Sequence, residues 1–197
     1  MIKITFDFIL SLVGLIFLSP ILLLVAILIK LDSHGPVFFR QNRVGLEGKV
    51  FKIHKFRSMY LNSINQGNLT IGIDNRITRL GKFLRKYKID ELPQLIDVLL
   101  GKMSLVGPRP EVQEFINFYP DVIKEKVLSV RPGITDIASI LMIDENNTLG
   151  EHKDPRQAYI DVILPIKLKC YVEYIDKKSI WLDIKIILLT IKKIVLR

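Results

Sequence analysis

The chain opens with a long, almost uninterrupted apolar segment. Residues 8–29 contain no charged residue, and as a helix this run of about 22 positions would extend roughly 33 Å, which matches the hydrocarbon thickness of a bilayer. No small-residue cleavage site follows the run, which argues against a signal peptide that is removed. The pattern therefore predicts a retained membrane helix.

Ser19 and Pro20 interrupt the middle of this run. A proline inside a helix removes one backbone hydrogen bond and clashes with the preceding turn, which predicts a kink. A kinked helix can cross the bilayer, or it can be re-entrant and return to the face it entered, with the serine hydroxyl satisfying a carbonyl that the proline leaves free. The residues alone favour the crossing helix.

Basic residues are concentrated directly after the apolar run. They are Lys30, Arg40, Arg43, Lys49 and Lys52. By the positive-inside rule this flank predicts that the main body of the protein lies in the cytoplasm.

Beyond this flank the pattern predicts a β-hairpin. Residues 37–40 and 50–54 are rich in β-branched and aromatic residues, and the glycine-containing segment 45–48 between them has the composition of a turn. The basic side chains of these strands form either a solvated face or an anion-binding wall.

Amphipathic helices are predicted in the rest of the chain. In 77–87, apolar residues recur at helical spacing and basic residues occupy the opposite side, which favours a helix at the membrane surface. The C-terminal segment 179–197 is apolar but interrupted by charges, so it is interpreted as interfacial or as part of the core.

The segment 90–111 contains a predicted helix and a predicted loop. Asp90 is expected to cap a helix that covers 91–100, and Gly101 is expected to end it. The Pro-Arg-Pro sequence predicts that 105–111 is neither helix nor strand.

Composition narrows the class of protein. The chain is 49% hydrophobic, yet it carries 29 Lys and Arg against 20 Asp and Glu, a net charge of +9. Apolar and basic character together favour a membrane rich in anionic lipids. Nucleic-acid binding is disfavoured because no recognisable motif for it is present. Cys170 is the only cysteine, which excludes an intrachain disulfide and predicts a small buried residue.

Asp90 and Glu91 are the strongest candidates for chemistry. Free N–H groups at a helix start attract anions, so a phosphate and a carboxylate can meet there. Phosphoryl transfer to a carboxylate needs cations that offset the repulsion between the two anions, and arginines or a divalent metal serve this purpose. From the residues alone, a capping role for Asp90 remains the commoner explanation.

Two motifs surround these carboxylates. Residues 89–95 read Ile-Asp-Glu-Leu-Pro-Gln-Leu, and 104–110 read Ser-Leu-Val-Gly-Pro-Arg-Pro. They resemble the monotopic phosphoglycosyl transferases, the small bacterial sugar transferases. The resemblance covers nearly the whole chain, and its further matches are Lys3, Asp7, Ser19, Pro20, 41–45, 55–59 and 131–135.

This resemblance implies an α+β, mainly helical fold with an N-terminal re-entrant membrane helix, a small β-hairpin and amphipathic interfacial helices. The re-entrant helix would occupy 1–31 and be broken at Ser19 and Pro20, which replaces the crossing helix favoured above. Residues 32–197 would form a cytosolic, membrane-associated catalytic domain. The protein would be monotopic, at the cytoplasmic face of a bacterial inner membrane.

The resemblance also implies a reaction. Asp90 would attack the β-phosphorus of a UDP-sugar, release UMP and hold a covalent phosphosugar that polyprenol (undecaprenyl) phosphate then accepts. Asp90 and Glu91 would be metal candidates for Mg²⁺, and Glu91 would assist with the metal or with a proton. The expected phosphate-binding residues are Arg85, Arg109, Lys55 and Arg131.

The implied role is the first membrane step of glycan assembly, for a capsule, an O-antigen or a glycoprotein. The expected partners are the UDP-sugar, the polyprenol phosphate and anionic lipids, with no nucleic acid, and a homo-oligomer is left open. The alternative is a non-catalytic basic membrane scaffold of such a pathway.

The sequence departs from the family pattern in two places. Asp136, Ile137, Ala138 and Ser139 replace a common Gly-Trp-Ala-Gln, and Cys170 and Tyr171 replace an expected Leu-Asp. These departures bear on recognition of the base and the sugar rather than on the type of reaction.

Overall fold

The computed structural model describes residues 2–61, 69, 72, 74–142 and 144–196, and it confirms a mainly helical α+β fold with few short strands. The helices are α1 (Ile2–Asp32), α2 (Arg79–Lys86), α3 (Gln94–Leu99), α4 (Gln113–Ile116), α5 (Asp121–Leu128), α6 (Ile137–Leu141), α7 (Glu145–Gly150), α8 (Pro155–Ala158), α9 (Leu164–Lys177) and α10 (Ile180–Val195). The strands are β1 (Phe38–Phe39), β2 (Asn42–Val44), β3 (Val50–Lys52), β4 (Lys55–Phe56), β5 (Ser104–Val106) and β6 (Gly133–Thr135).

Helix α1 is long and apolar enough to cross a membrane. It continues through Ser19 and Pro20, so the predicted break does not divide it into two helices. The hydroxyl of Ser19 donates a hydrogen bond of 2.8 Å to the carbonyl of Ile16, the group that the missing N–H of Pro20 leaves without its helical donor. The predicted role of the serine hydroxyl is therefore confirmed.

Both ends of α1 are held against the rest of the protein. Near its start, Lys3 pairs with Asp183 of α10 at 2.5 Å, and Ser104 of β5 donates to the buried carboxylate of Asp7 at 2.7 Å. Near its end, the guanidinium of Arg57 donates to the carbonyls of Ile29, Ser33 and His34. Buried charges are tolerated only when they are paired, so these contacts fix the helix along the body of the protein.

The predicted turn at 45–48 does join a β-hairpin, but the predicted first strand is wrong, because 42–44 and not 37–40 pairs with β3. Strands β2 and β3 pair antiparallel around the turn, with Arg43 opposite Phe51. Strands β1 and β4 continue the pairing outward, with Phe39 opposite Lys55. This second ladder places Lys55 at the base of the hairpin.

Helix α2 confirms the predicted amphipathic helix. The side chain of Thr78 caps it by accepting a hydrogen bond of 2.9 Å from the N–H of Gly81. Its apolar side buries Leu84 in a small core with Phe56 and Ile29, while Phe83 stays exposed. The helix thereby joins the hairpin to α1.

Asp90 is not the helix cap that the sequence predicted. It lies inside a 3-10 turn, Ile89–Glu91, and α3 begins only at Gln94. The left-handed conformation of Lys88 (φ 55°) turns the chain just before Asp90. Pro93, which has no N–H to donate, is the residue directly before α3, so the regular helix starts after it. The predicted stop at Gly101 is confirmed by its φ of +71°.

The predicted loop 105–111 is wrong at its start. Leu105 and Val106 belong to β5, which pairs parallel with β6 through Ser104 and Gly133. A pairing partner distant in sequence gives no local signal, and for this reason the strand was missed. Both strands lie in the main core with α9 and α10.

We expect Gly81→Ala to destabilise the protein by about 2 kcal/mol, because overpacking typically costs 1–3 kcal/mol. A Cβ at this position would lie 2.1 Å from the carbonyl oxygen of Ser58. Thermal unfolding in detergent measures the change. Arg79→Ala, an exposed position in the same helix, should stay within about 0.5 kcal/mol. Equal stability of the two variants would contradict the close packing of α2.

Candidate active site

Asp90 and Glu91 lie side by side in the 3-10 turn between α2 and α3. Their exposed fractions are only 1% and 6%. Both line a cavity of about 450 Å³ whose walls come from the hairpin, α2, the loop after β5 and the helices of the C-terminal half. The two predicted carboxylates therefore do face a space of ligand size.

Two cations hold these carboxylates. Nζ of Lys55 lies 3.0 Å from Oδ2 of Asp90 and 3.1 Å from Oε1 of Glu91. The two terminal nitrogens of Arg109 donate hydrogen bonds to Glu91, Nη2 to Oε1 at 2.5 Å and Nη1 to Oε2 at 3.1 Å. Oδ1 of Asp90 is buried and has no hydrogen-bond partner among the described residues. One carboxylate is thus fully engaged, and the other keeps a bare oxygen.

The ion pairs shift the pKa values of their members. Burial by itself raises the pKa of Glu91, but Arg109, Lys55 and Lys88 together hold that pKa well below its ordinary value of 4.5. Glu91 in turn raises the pKa of Arg109 well above its ordinary value. Glu91 therefore stays ionised and works as a fixed negative charge.

The position of Arg109 depends on a close approach of two backbones. The N–H of Gly107 donates to the carbonyl of Thr135, and the N–H of Gly133 donates to the carbonyl of Pro108, at 3.1 and 2.9 Å. A Cβ on Gly133 would lie 2.1 Å from the nitrogen of Gly107, so only glycine fits. This packing holds the loop against β6 and directs Arg109 to Glu91.

Arg85 and Lys88 are among the further cations that line the cavity. Nε of Arg85 donates to the hydroxyl of Ser58 at 2.9 Å, and burial lowers the pKa of its guanidinium. Glu91 raises the pKa of Lys88, but burial and the nearby charges of Arg109 and Lys55 outweigh it, so that this pKa is lowered. Arg85 was predicted to bind phosphate, and the structure places it in the cavity wall. Lys88, which was not among the predicted phosphate-binding residues, lines the same cavity.

The structure does not bring every predicted residue to this cavity. Arg131 is absent from the described residues that line it, and its guanidinium lies near Gly101 at the end of α3. Ser19 and Pro20 lie on an exposed part of α1. A phosphate contact by Arg131 therefore stays a prediction without support from the geometry.

Arg43, which belongs to the matched segment 41–45, also lines the cavity. The cavity further contains functional candidates that the sequence did not single out, namely Glu111, Tyr159 and Lys167. Glu111 directly follows the Pro-Arg-Pro motif, and this position next to a motif could have identified it as a candidate site residue. Tyr159 and Lys167 carried none, because the folding of distant segments brings them to the cavity.

The departures from the family pattern lie close to the same cavity. Asp136 is buried and caps α6 by accepting a hydrogen bond of 2.9 Å from the N–H of Ser139, which lines the cavity. Cys170 is a buried free thiol, as predicted, and Tyr171 is also buried.

A Mg²⁺ ion is chemically compatible with Asp90. Magnesium is usually held by one or two carboxylates together with substrate phosphates and water. The buried Oδ1 of Asp90 is an available hard oxygen ligand, whereas both oxygens of Glu91 are engaged by cations. The described residues contain no group of three or more His, Cys, Asp or Glu side chains suited to a metal, so a metal here would depend on the substrate.

Known proteins match the chain along its whole length. Residues 1–197 match the family model described as bacterial sugar transferase. The chain is similar to an undecaprenyl-phosphate glucose phosphotransferase of Komagataeibacter xylinus, with 43% identity over 97% of this chain and 35% of the relative. It is also similar to a UDP-glucose:undecaprenyl-phosphate glucose-1-phosphate transferase of Escherichia coli strain K12, with 40% identity over 95% of this chain and 39% of the relative.

A further relative has a more similar length. It is an uncharacterized sugar transferase of Bacillus subtilis strain 168, with 38% identity over 89% of this chain and 78% of the relative. The chain thus spans less than two-fifths of the length of the first two relatives and more than three-quarters of the third.

We expect Arg109→Gln to lose about 3–5 kcal/mol of stability at pH 7, because it leaves a buried carboxylate short of its main cation. The pKa of Glu91 is lower in the folded protein than in the unfolded chain. Its stabilising contribution is therefore complete above pH 4.5 and is lost as the pH falls through the folded pKa. The difference from wild type should narrow over that acid range, as measured by thermal unfolding from pH 7 to pH 3.

Arg156→Gln is the matched control, since Arg156 pairs with Glu114 at the surface. Its change should be below about 1 kcal/mol. An Arg109→Gln deficit that stays constant with pH would contradict the role of the ion pair.

Proposed function

Because this chain belongs to the bacterial sugar transferase family, we propose that it transfers a sugar 1-phosphate from a UDP-sugar to a polyprenol phosphate such as undecaprenyl phosphate. The reaction would be the first membrane step in assembly of a bacterial glycan. The names of the similar proteins from Komagataeibacter xylinus and Escherichia coli describe transfers of this kind.

One observation carries the proposal. Asp90 presents a buried oxygen, Oδ1, that has no hydrogen-bond partner among the described residues, in a cavity lined by lysines and arginines. A bare carboxylate oxygen is a nucleophile, and the nearby cations reduce its repulsion from a phosphate. The second oxygen is held by Lys55, which fixes the direction of attack.

In the first step, an oxygen of Asp90 forms a bond to the β-phosphorus of the UDP-sugar. The bond from that phosphorus to the oxygen bridging the two phosphates breaks, and its electron pair leaves with UMP. The enzyme then carries the sugar 1-phosphate on an aspartyl phosphate linkage.

In the second step, a phosphate oxygen of the polyprenol phosphate attacks the same phosphorus. The aspartyl bond breaks, its electron pair returns to the carboxylate, and the product is a polyprenyl diphosphate sugar. Asp90 is regenerated, so that the cycle can repeat.

The cations have separate roles in this scheme. Lys55 and Arg109 hold the carboxylates in place, while Arg85 and Lys88, which line the cavity, bind the donor's phosphates. Glu91 anchors Arg109. Mg²⁺, when bound with Asp90 and the diphosphate, would neutralise phosphate charge.

We also propose that α1 is re-entrant and that the protein is monotopic at the cytoplasmic face of the membrane. The observation that favours this topology is that Lys3 and Asp7, near one end of α1, contact the same body as Ile29, near the other end. A helix that crossed the bilayer would separate its ends by the hydrocarbon core. A helix with both ends on one body dips into the lipid without crossing it.

We expect Asp90→Asn to reduce transfer by about 10⁴-fold or more, which is typical for loss of a catalytic nucleophile. Purified protein would be incubated with Mg²⁺ and a panel of UDP-sugars, and UMP release and intact mass would be measured. Wild type should show a phosphosugar adduct, and the variant should show none. Asp121→Asn, at an exposed position in α5, should behave as wild type.

The same experiment separates the enzyme from the scaffold alternative. An unchanged mass and no UMP from wild-type protein across the panel would favour a non-catalytic scaffold. Transfer by Asp90→Asn at the wild-type rate would instead exclude Asp90 as the nucleophile.

The proposed topology predicts that the start of α1 and the main body are labelled from the same side of the membrane. With Cys170 replaced by Ala, a single cysteine at the exposed Ile2 and, separately, one at Asp121 in the main body would be treated with a membrane-impermeant maleimide. Intact cells should protect both, and permeabilised cells should allow labelling of both. Labelling of Ile2→Cys in intact cells would show that α1 crosses the membrane.

A further inference from the structure

A second polar cluster lines the cavity, beyond the carboxylates assigned to catalysis. Tyr159 donates to Oε1 of Glu111 at 2.6 Å, and Nζ of Lys167 lies 3.2 Å from the Tyr159 hydroxyl. Lys167 also contacts both carboxylate oxygens of Glu145, at 2.9 and 2.8 Å. Arg43 joins the other end, 3.6 Å from Glu111. We call these five residues the distal cluster.

The distal cluster differs in charge from the surroundings of Asp90. Arg43 and Lys167 balance Glu111 and Glu145, so the cluster is electrically neutral. Around Asp90 and Glu91 the cavity is lined by an excess of cations, namely Lys55, Arg85, Lys88 and Arg109. A diphosphate is attracted to the cationic part, whereas a neutral cluster gains nothing from binding an anion.

The geometry of Tyr159 limits which neutral group can bind beside it. Its ring contacts Phe115 at a centroid distance of 4.5 Å, and the ammonium of Lys167 lies 4.7 Å from the ring centroid. The ring is thus occupied and poorly placed to stack on a base. The accessible group of the cluster is the carboxylate of Glu145, whose oxygens suit ligand hydroxyls that donate hydrogen bonds.

We propose that the distal cluster is the subsite for the sugar ring of the donor. Glu145, whose side chain is 24% exposed, accepts hydrogen bonds from sugar hydroxyls. Lys167 and Tyr159, which are buried behind it, hold its carboxylate in position. Glu111 and Arg43 hold Tyr159 and connect the cluster to the Pro-Arg-Pro loop, since Arg43 also donates to the carbonyl of Pro110 at 3.0 Å. The assignment rests on the proposed transfer reaction and adds to it the location of sugar recognition.

The test compares binding of two ligands that share the nucleotide and differ in the sugar. On an Asp90→Asn background, which prevents turnover, dissociation constants for UDP-sugars and for UDP would be measured by titration calorimetry in detergent with Mg²⁺. Glu145→Gln should weaken binding of the tightest-binding UDP-sugar by about 10-fold to 100-fold, the effect of losing a hydrogen bond to a charged group. Its affinity for UDP should stay within twofold.

Glu151→Gln, an exposed position that does not line the cavity among the described residues, is the matched control and should leave both affinities unchanged. If Glu145→Gln fails to fold, Tyr159→Phe removes a single hydroxyl and should give the same selective loss. Equal weakening of UDP and UDP-sugar binding would overturn the proposal in favour of a subsite for the nucleoside diphosphate. Unchanged affinity for both would also overturn it and leave the cluster a purely structural role.

These readouts distinguish failure of the proposed reaction from failure of the proposed sugar subsite. If wild-type protein binds UDP-sugars but releases no UMP, the proposed reaction fails, and the selective loss in Glu145→Gln still assigns the sugar subsite. If transfer occurs and the loss is not selective, only the subsite assignment fails.

Discussion

The ion cluster around Glu91 is the interaction on which the site depends. It joins three segments that are distant in sequence: the base of the hairpin through Lys55, the 3-10 turn through Glu91, and the loop after β5 through Arg109. Burying these charges is tolerable only because each is paired, and removing one partner would leave an uncompensated charge. The same pairing leaves one oxygen of Asp90 bare. Glu91 thus has a structural role, and in the proposed reaction its neighbour Asp90 is the residue that reacts.

The parts of the fold that were predicted correctly are those with a local signal. The apolar run predicted α1, the helical spacing in 77–87 predicted α2, and the glycines of 45–48 predicted the hairpin turn. The prediction that Asp90 caps a helix was wrong because Lys88 adopts a left-handed conformation, which is uncommon for a lysine and therefore not predictable from the sequence.

The site shows the same division. Asp90, Glu91 and Arg109 were identified through motifs, and the structure brings them together. The parallel pairing of β5 and β6 and the arrival of Lys167 depend on contacts between distant segments, which no short pattern encodes. A sequence motif can therefore locate the reacting centre, while the walls that surround it require the folded chain.

Helix α1 is attached to the segments that carry the candidate site. Its start is bonded to Ser104, the first residue of β5, and β5 leads directly into the loop that carries Arg109. Its end is bonded to Arg57, two residues after Lys55. Helix α1 is therefore attached close to both cations that hold the carboxylates. In the proposed reaction, a phosphate on a lipid has to reach Asp90 from the bilayer, and these attachments would keep the distance between the bilayer and Asp90 fixed.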